Sequence, residues 1–225
     1  MKKTIVGIIA HPDDEAFFMA GTLAKLCKNN NVYLICATNG QAGEDSLDEK
    51  NTLATRRVDE LKKSAKILGV KNVYFLGFED GYLSNSIYGD ITSAILKILD
   101  TLSPKILITI APNGITGHLD HIAISHIASF VFEKSRSTNE LWQACFLEER
   151  SKSVRKYYSE FVYVPRGYER IKVNKIITIS DVFPKVIEAI SSHKSQQADI
   201  NYAIKEINTF PKEEYFLVIK KSQQK

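Results

Sequence analysis

Cysteine is scarce in this 225-residue chain: Cys27, Cys36 and Cys145 are the whole supply. Three is an odd number, the spacing is scattered, and no C-x-x-C pair or disulfide framework exists, so a reducing, cytoplasmic setting is expected. Long apolar runs are lacking as well. No stretch approaches the roughly 18 to 20 residues that a membrane helix needs. The first apolar stretch meets His11-Pro12-Asp13-Asp14 too soon for a signal peptide, and reads instead as a first strand. Neither sign of charge dominates, since 30 basic against 26 acidic residues leave only +4. The lysines are spread along the chain as a solvated surface, which argues against a nucleic-acid partner. Repeats and low-complexity segments are absent apart from the Lys220–Lys225 tail. What remains is 44% apolar and 25% charged, an ordinary globular composition with ample length for a core.

The first half alternates two kinds of segment. Thr4–Ala10, Val32–Ala37, Val73–Leu76 and Lys105–Ile110 are short apolar, β-branched runs, as expected for strands covered on both faces. Between them, Glu15–Lys28, Thr55–Leu68 and Ile91–Leu102 carry helical patterns; Gly69 closes the second and Pro104 prevents extension of the third. Strand and helix in this alternation predict a three-layer α/β/α, Rossmann-like fold with a mostly parallel sheet and right-handed crossovers. After about residue 140 the pattern becomes irregular. Strands are expected at Leu141–Leu147, Phe161–Val164, Ile176–Ile179 and Tyr215–Ile219, some antiparallel, with a helix from Ser180-Asp181 to about His193. No linker interrupts the chain, so residues 1–225 are read as one domain.

Ligands of open α/β sheets bind outside the carboxyl ends of the strands. Three polar clusters fall there: Ala10–Glu15, Thr38–Glu44 and Pro112–His121. Of the five histidines, His11, His118 and His121 lie in the first and third clusters, each near an aspartate. Imidazole with carboxylate suits zinc or another first-row divalent ion, whereas magnesium for phosphoryl transfer prefers oxygen alone. A histidine and an aspartate from the first cluster with a histidine from the third complete three ligands, leaving a position for water. The acidic run Asp13-Asp14-Glu15 is also a good helix start, but that explains neither His11-Pro12 nor the later histidines.

Ala10-His11-Pro12-Asp13-Asp14-Glu15 resembles the A-H-P-D-D-E signature of the PIG-L/LmbE-type zinc de-N-acetylases. Gly114–His121 (GITGHLDH) is similar to that family's G-x-T-G-H-x-D-H, and His193-Lys194-Ser195-Gln196 to its late H-x-S-Q. Thr38-Asn39-Gly40, Arg57–Glu60 and Leu76–Gly81 follow in family order, and the likeness covers about residues 4–200.

The resemblance implies a zinc held by His11, Asp14 and His121, with Asp13 as general base. It implies that His118, oriented by Asp120, stabilises the oxyanion as an imidazolium, and that Arg57, Asp80 and Asn39 face the substrate. The activity implied is deacetylation of an N-acetylated amino sugar, an N-acetylglucosaminyl conjugate first of all. The alternatives are a related amide hydrolase taking a larger acyl group, or a non-catalytic carbohydrate- or metal-binding module on the same fold. Some relatives carry a tyrosine where this chain has Thr116. His193 reads as structural, His126 as packing, and Trp142, Tyr157 and Tyr158 as core rather than a sugar-stacking wall. Specificity is expected in residues 40–54, 80–90 and 148–170, and nothing in the sequence bears on oligomeric state.

Overall fold

A computed structural model describes residues 2–43, 52–158 and 163–221. β1 (Thr4–Ile9), β2 (Asn31–Thr38), β3 (Asn72–Phe78), β4 (Ile106–Ile110) and β5 (Glu140–Cys145) pair in parallel, flanked by β6 (Lys175–Thr178) and β7 (Glu213–Lys220). The seven strands run in the order β3-β2-β1-β4-β5-β7-β6, with β7 antiparallel to both its neighbours. The expected α/β/α layering with a mostly parallel sheet is therefore the observed one. The chain winds outward from β1 to β3 and then returns to the other side of β1 with β4. That reversal leaves a crevice above the ends of β1 and β4.

Alternation along β1 explains the two apolar layers. Ile5 and Ile9 point to one face, where they join Leu23, Leu61, Leu68 and Val186. These come from α2 (Ala20–Cys27), α3 (Leu53–Leu68) and α7 (Phe183–Ile190). Val6 and Ile8 point to the other face, against α4 (Tyr88–Leu102) and α5 (Leu119–Lys134) through Ile91, Ile95, Ile124 and Val131. Gly7 is forced by β2: a Cβ there would lie 2.6 Å from Leu34 Cδ2.

The single helix expected over Glu15–Lys28 is two. α1 (Asp14–Phe18) ends at Met19, whose φ of −150° and ψ of 15° break the helix before α2 restarts. A distant carboxylate makes the restart possible. Glu214 on β7 accepts from the Gly21 and Thr22 amides at 2.8 Å each and so caps α2. Helices α5, α6 (Glu148–Tyr158) and α8 (Gln197–Thr209) occupy segments with no readable apolar stripe. In the expected strand Phe161–Val164, the first two residues lie outside the described ones, and Tyr163 and Val164 run as unpaired chain. Ser180–Val182 is a 3-10 turn leading into α7, which ends at Ile190, short of His193. Trp142 is core, as expected, and Tyr157 stacks on Tyr202 at 3.9 Å. Among the described residues no helix is long and apolar enough to cross a membrane.

Candidate active site

The loop after β1 is shaped by its own aspartates. Asp14 opens α1 and turns Oδ2 back to accept from the Ala10 and His11 amides, both at 2.9 Å. This fold-back places Asp13 at φ 143°, ψ −23°, a conformation that L residues rarely adopt. The loop after β4 is similarly tense: Ile115 has φ 58°, between Gly114 at 70° and Gly117 at 83°. The two strained loops face each other across the crevice, and their side chains meet.

His11 Nδ1 lies 3.1 Å from His121 Nε2, which is itself 3.0 Å from Asp14 Oδ1. The outer nitrogens decide which atoms carry protons. His11 Nε2 contacts Asp80 Oδ1 at 3.0 Å and Asp120 Oδ2 at 3.2 Å, so it donates. His121 Nδ1 contacts the Gly114 carbonyl at 3.2 Å and Thr116 Oγ1 at 3.0 Å, and it donates as well. Neutral rings in these tautomers turn two nitrogen lone pairs and a carboxylate oxygen towards one another. Neighbouring acceptors at 3.1 and 3.0 Å repel unless a proton, which His11 carries in the metal-free site, or a metal ion sits among them. The donor set of two imidazoles and a carboxylate, each anchored behind, is that of a first-row divalent ion such as zinc. The donor atoms of His118 also come within 4.8 Å of those of His11 and His121, as those of Asp80 and Asp120 do of His11.

The surrounding charge tells the same story. Asp13, Asp14, Asp80 and Asp120 are four carboxylates that meet a single guanidinium, Arg57, among the described residues. Burial would depress the His11 imidazole, yet the Asp120 and Asp80 carboxylates, with Asp14 behind, raise it to about 10. Burial would push Asp14 up, and the His121 and His11 imidazoles instead hold it well below the usual carboxylate range. Asp13 rises to about 6: burial and the Asp14 charge outweigh the restraint of Arg57. Burial and its two histidine neighbours hold His118 down to about 4.

A cavity of about 260 Å³ collects His11, Asp13, Asp14, Arg57, Asp80, His118 and His121. Several expected roles take a different form there. Arg57 lines the cavity, but Nη2 is held by Asp13 Oδ2 at 2.8 Å and Pro12 O at 3.0 Å and Nη1 by Gly40 O at 2.9 Å, while its buried Nε has no partner among the described residues. Asp80 is engaged by His11 and by the Ala42 amide at 3.0 Å. Asn39 does not line the cavity, and its buried Oδ1 has no partner among the described residues. The Asp120 carboxylate accepts from the Gly81 and Leu83 amides at 2.7 and 3.0 Å and contacts His11; only its backbone amide reaches His118, donating to Nδ1 at 3.2 Å. His118 is thus the cap of α5, with its proton on Nε2. That geometry replaces the expected imidazolium with a neutral ring.

Behind the cavity, His193 Nε2 meets Glu15 Oε1 at 2.8 Å, and Ser195 donates to Glu60 through its amide and hydroxyl at 2.8 and 2.7 Å. These bonds fasten the 193–196 turn to α1 and α3. Tyr158, whose hydroxyl donates to Asp199 at 2.8 Å, lines the cavity together with Asp199 and Gln196. Nothing in the sequence marks Asp199, and Tyr158 reads there as packing. Of the loop 40–54, residues 44–51 lie outside the described ones.

The sequence pattern of the PIG-L family, described as GlcNAc-PI de-N-acetylase, matches residues 6–132, the stretch that holds both histidine loops. The chain belongs to the PIG-L family. Within it, the protein is similar to a probable N-acetyl-α-D-glucosaminyl L-malate deacetylase 2 of Bacillus anthracis. Identity is 26% over 206 residues, covering 88% of this chain and 83% of that one. Among solved structures, the N,N′-diacetylchitobiose deacetylase of Pyrococcus horikoshii superposes with a TM-score of 0.71 at 23% identity, over 97% of this chain and 84% of that one. The 4-carboxy-2-hydroxymuconate hydratase of Pseudomonas putida superposes with a TM-score of 0.73 at 14% identity, over 100% and 99%. These two likenesses speak for the PIG-L fold alone.

Proposed function

We propose that this PIG-L protein is a metal-dependent deacetylase of N-acetylated amino sugars, acting on an N-acetylglucosaminyl conjugate. The observation that carries the reading is the convergence of His11 Nδ1, His121 Nε2 and Asp14 Oδ1 within about 3 Å of their neighbours, with every outer nitrogen already donating. The named deacetylase relative, alike over most of the chain, supports the amide as the bond cleaved.

His11, Asp14 and His121 hold the ion, zinc or another first-row divalent cation. When bound, such an ion supplies Lewis acidity, bringing the pKa of a water towards about 7 and polarising the acetamide carbonyl. Asp13 takes the proton of the attacking water on Oδ1, the oxygen that Arg57 leaves free. It then returns that proton to the departing amine nitrogen. His118 donates a hydrogen bond from its Nε2–H to the carbonyl oxygen as negative charge builds there, and keeps the proton. Asp80 and Asp120 keep His11 in its ligating tautomer, and Thr116 with the Gly114 carbonyl does the same for His121.

The test joins metal analysis to turnover. Zinc-reconstituted protein should hold about one equivalent and release acetate from N-acetylglucosamine conjugates, with larger acyl analogues turned over poorly. Asp13→Asn should keep the metal and lose on the order of 10² to 10⁴ in kcat. Protein that binds no divalent ion, or an Asp13→Asn variant with unchanged turnover, sinks the proposal.

A further inference from the structure

Beside the catalytic cavity lies a second hollow of about 630 Å³. Gly81 and His118 line both, and the remaining wall of the second is mainly Leu119, Ile122, Tyr163 and Pro165. Leu119 is 75% exposed and Tyr163 84% exposed, among the most open large apolar side chains of the protein. Placed beside a reactive site, such surface marks a place where something apolar is covered.

The wall is held in place. Gly117 has φ 83°, and a Cβ there would lie 2.0 Å from the Tyr163 carbonyl oxygen and 3.2 Å from Pro165 Cδ. The Arg155 guanidinium donates to the Pro165 carbonyl at 3.1 Å. Residues 163–165 are therefore seated on the loop that carries His118, and the hollow keeps a fixed relation to the proposed oxyanion donor.

Charge and hydrogen bonding then select the occupant. The catalytic cavity is lined by Asp13, Asp14, Asp80 and Asp199, and the Arg57 charge is already paired with Asp13, its terminal nitrogens held by Asp13, Pro12 and Gly40. The second hollow adds no lysine or arginine among the described residues. Among the described residues, none that lines it offers a cation to an anionic group. Asn113, the amide side chain there, is also committed: Nδ2 donates to Arg166 O at 3.0 Å and Oδ1 accepts from the Ile115 amide at 3.1 Å. A polyol would find no hydrogen-bonding partner on leucine, isoleucine and proline, and so would gain little over its hydration in water.

In a 2-acetamido sugar the aglycone sits on C1, next to the carbon that bears the acetamide. With the acetamide carbonyl at His118, the glycosidic oxygen lies three bonds from the amide nitrogen, so the aglycone leaves the cavity on the side near that residue. From this juxtaposition, and resting on the deacetylase reading above, we infer that the hollow is the aglycone subsite and that it selects an uncharged, apolar aglycone, alkyl or aryl.

Rates of acetate release test the inference on the zinc-loaded protein. The substrates are the octyl and p-nitrophenyl glycosides of N-acetylglucosamine, the free sugar, N,N′-diacetylchitobiose and the malate conjugate. The octyl and aryl glycosides should exceed the other three in kcat/KM by tenfold or more. Leu119→Ser and Tyr163→Ala, both at exposed positions that the fold tolerates, should each cut the octyl-to-free-sugar ratio at least threefold. A malate or chitobiose substrate that is fastest, or a ratio unmoved by both variants, overturns the inference. Acetate from none of the five counts against the deacetylase reading, and calorimetry with octyl glucosaminide then tests the hollow by itself. Binding at least tenfold tighter than glucosamine, and lost in Leu119→Ser, supports an apolar subsite; equal binding overturns it.

Discussion

Arg57 Nη2 lies 2.8 Å from Asp13 Oδ2, and the same guanidinium holds the carbonyls of Pro12 and Gly40. An arginine on α3 thus grips a strained residue of the β1 loop and fixes which oxygen of that carboxylate remains free. Its presence also restrains the Asp13 carboxyl, which burial drives up to about 6.

Removing that restraint has a definite sign. A base acts only when deprotonated, so kcat should fall as pH drops through the Asp13 pKa. In Arg57→Gln the opposing positive charge is gone, and the acid limb of the pH–kcat profile should move upward by about one unit or more. An unmoved limb would separate Arg57 from the base.

His118 is predicted to act as a neutral donor. His118→Ala should lower kcat by about 10² to 10³ with little change in KM. In the parent protein, raising the pH through the neutral range should cost no activity on account of His118, because burial and its histidine neighbours hold the ring down to about 4. An essential imidazolium would instead make activity decline across that range.

Metal binding should expel a proton. In the metal-free protein His11 is raised to about 10 and is protonated at pH 7.5, whereas a ligating Nδ1 must be bare. Zinc titrations of the stripped protein in two buffers of different ionisation enthalpy should therefore report release of about one proton. Treatment with a chelator should abolish acetate release, and zinc should restore it.

How much of this was legible in the sequence depends on how local the cause is. Strands β1, β2 and β4 announce themselves because both faces are covered, and the histidine loops because they must sit at strand ends. Helix α5 does not, since residues on several of its faces are apolar and buried and no stripe forms. α6 is hidden for the opposite reason: EERSKSVRKYY offers almost no apolar residue to count. The histidine and aspartate motifs of the two loops were readable, but the commitments of Asp80, Asp120 and Arg57 were not. Each is decided by a partner at least 17 residues away in the chain, such as His11 for Asp120 at a separation of 109. Tyr158 and Asp199 reach the cavity only through the packing of α6 and α8.

Backbone fit yields a further expectation. Gly117→Ala would place a methyl 2.0 Å from the Tyr163 carbonyl while holding an L residue at φ 83°. Thermal or denaturant unfolding should register a loss on the order of 1 to 3 kcal/mol. The loss should come with weaker zinc affinity, because the same loop carries His121.

The carboxylate of Glu214 has a consequence for biogenesis. It caps a helix through the Gly21 and Thr22 amides, which lie 193 and 192 residues earlier in translation order. During synthesis that helix emerges well before its cap, and its leading amides wait until β7 has left the ribosome. The crossing between α1 and α2, and with it the setting of His11 and Asp14, is then completed by a strand made long after both residues. Nascent chains arrested before β7 should hold zinc poorly although every ligand has already been made.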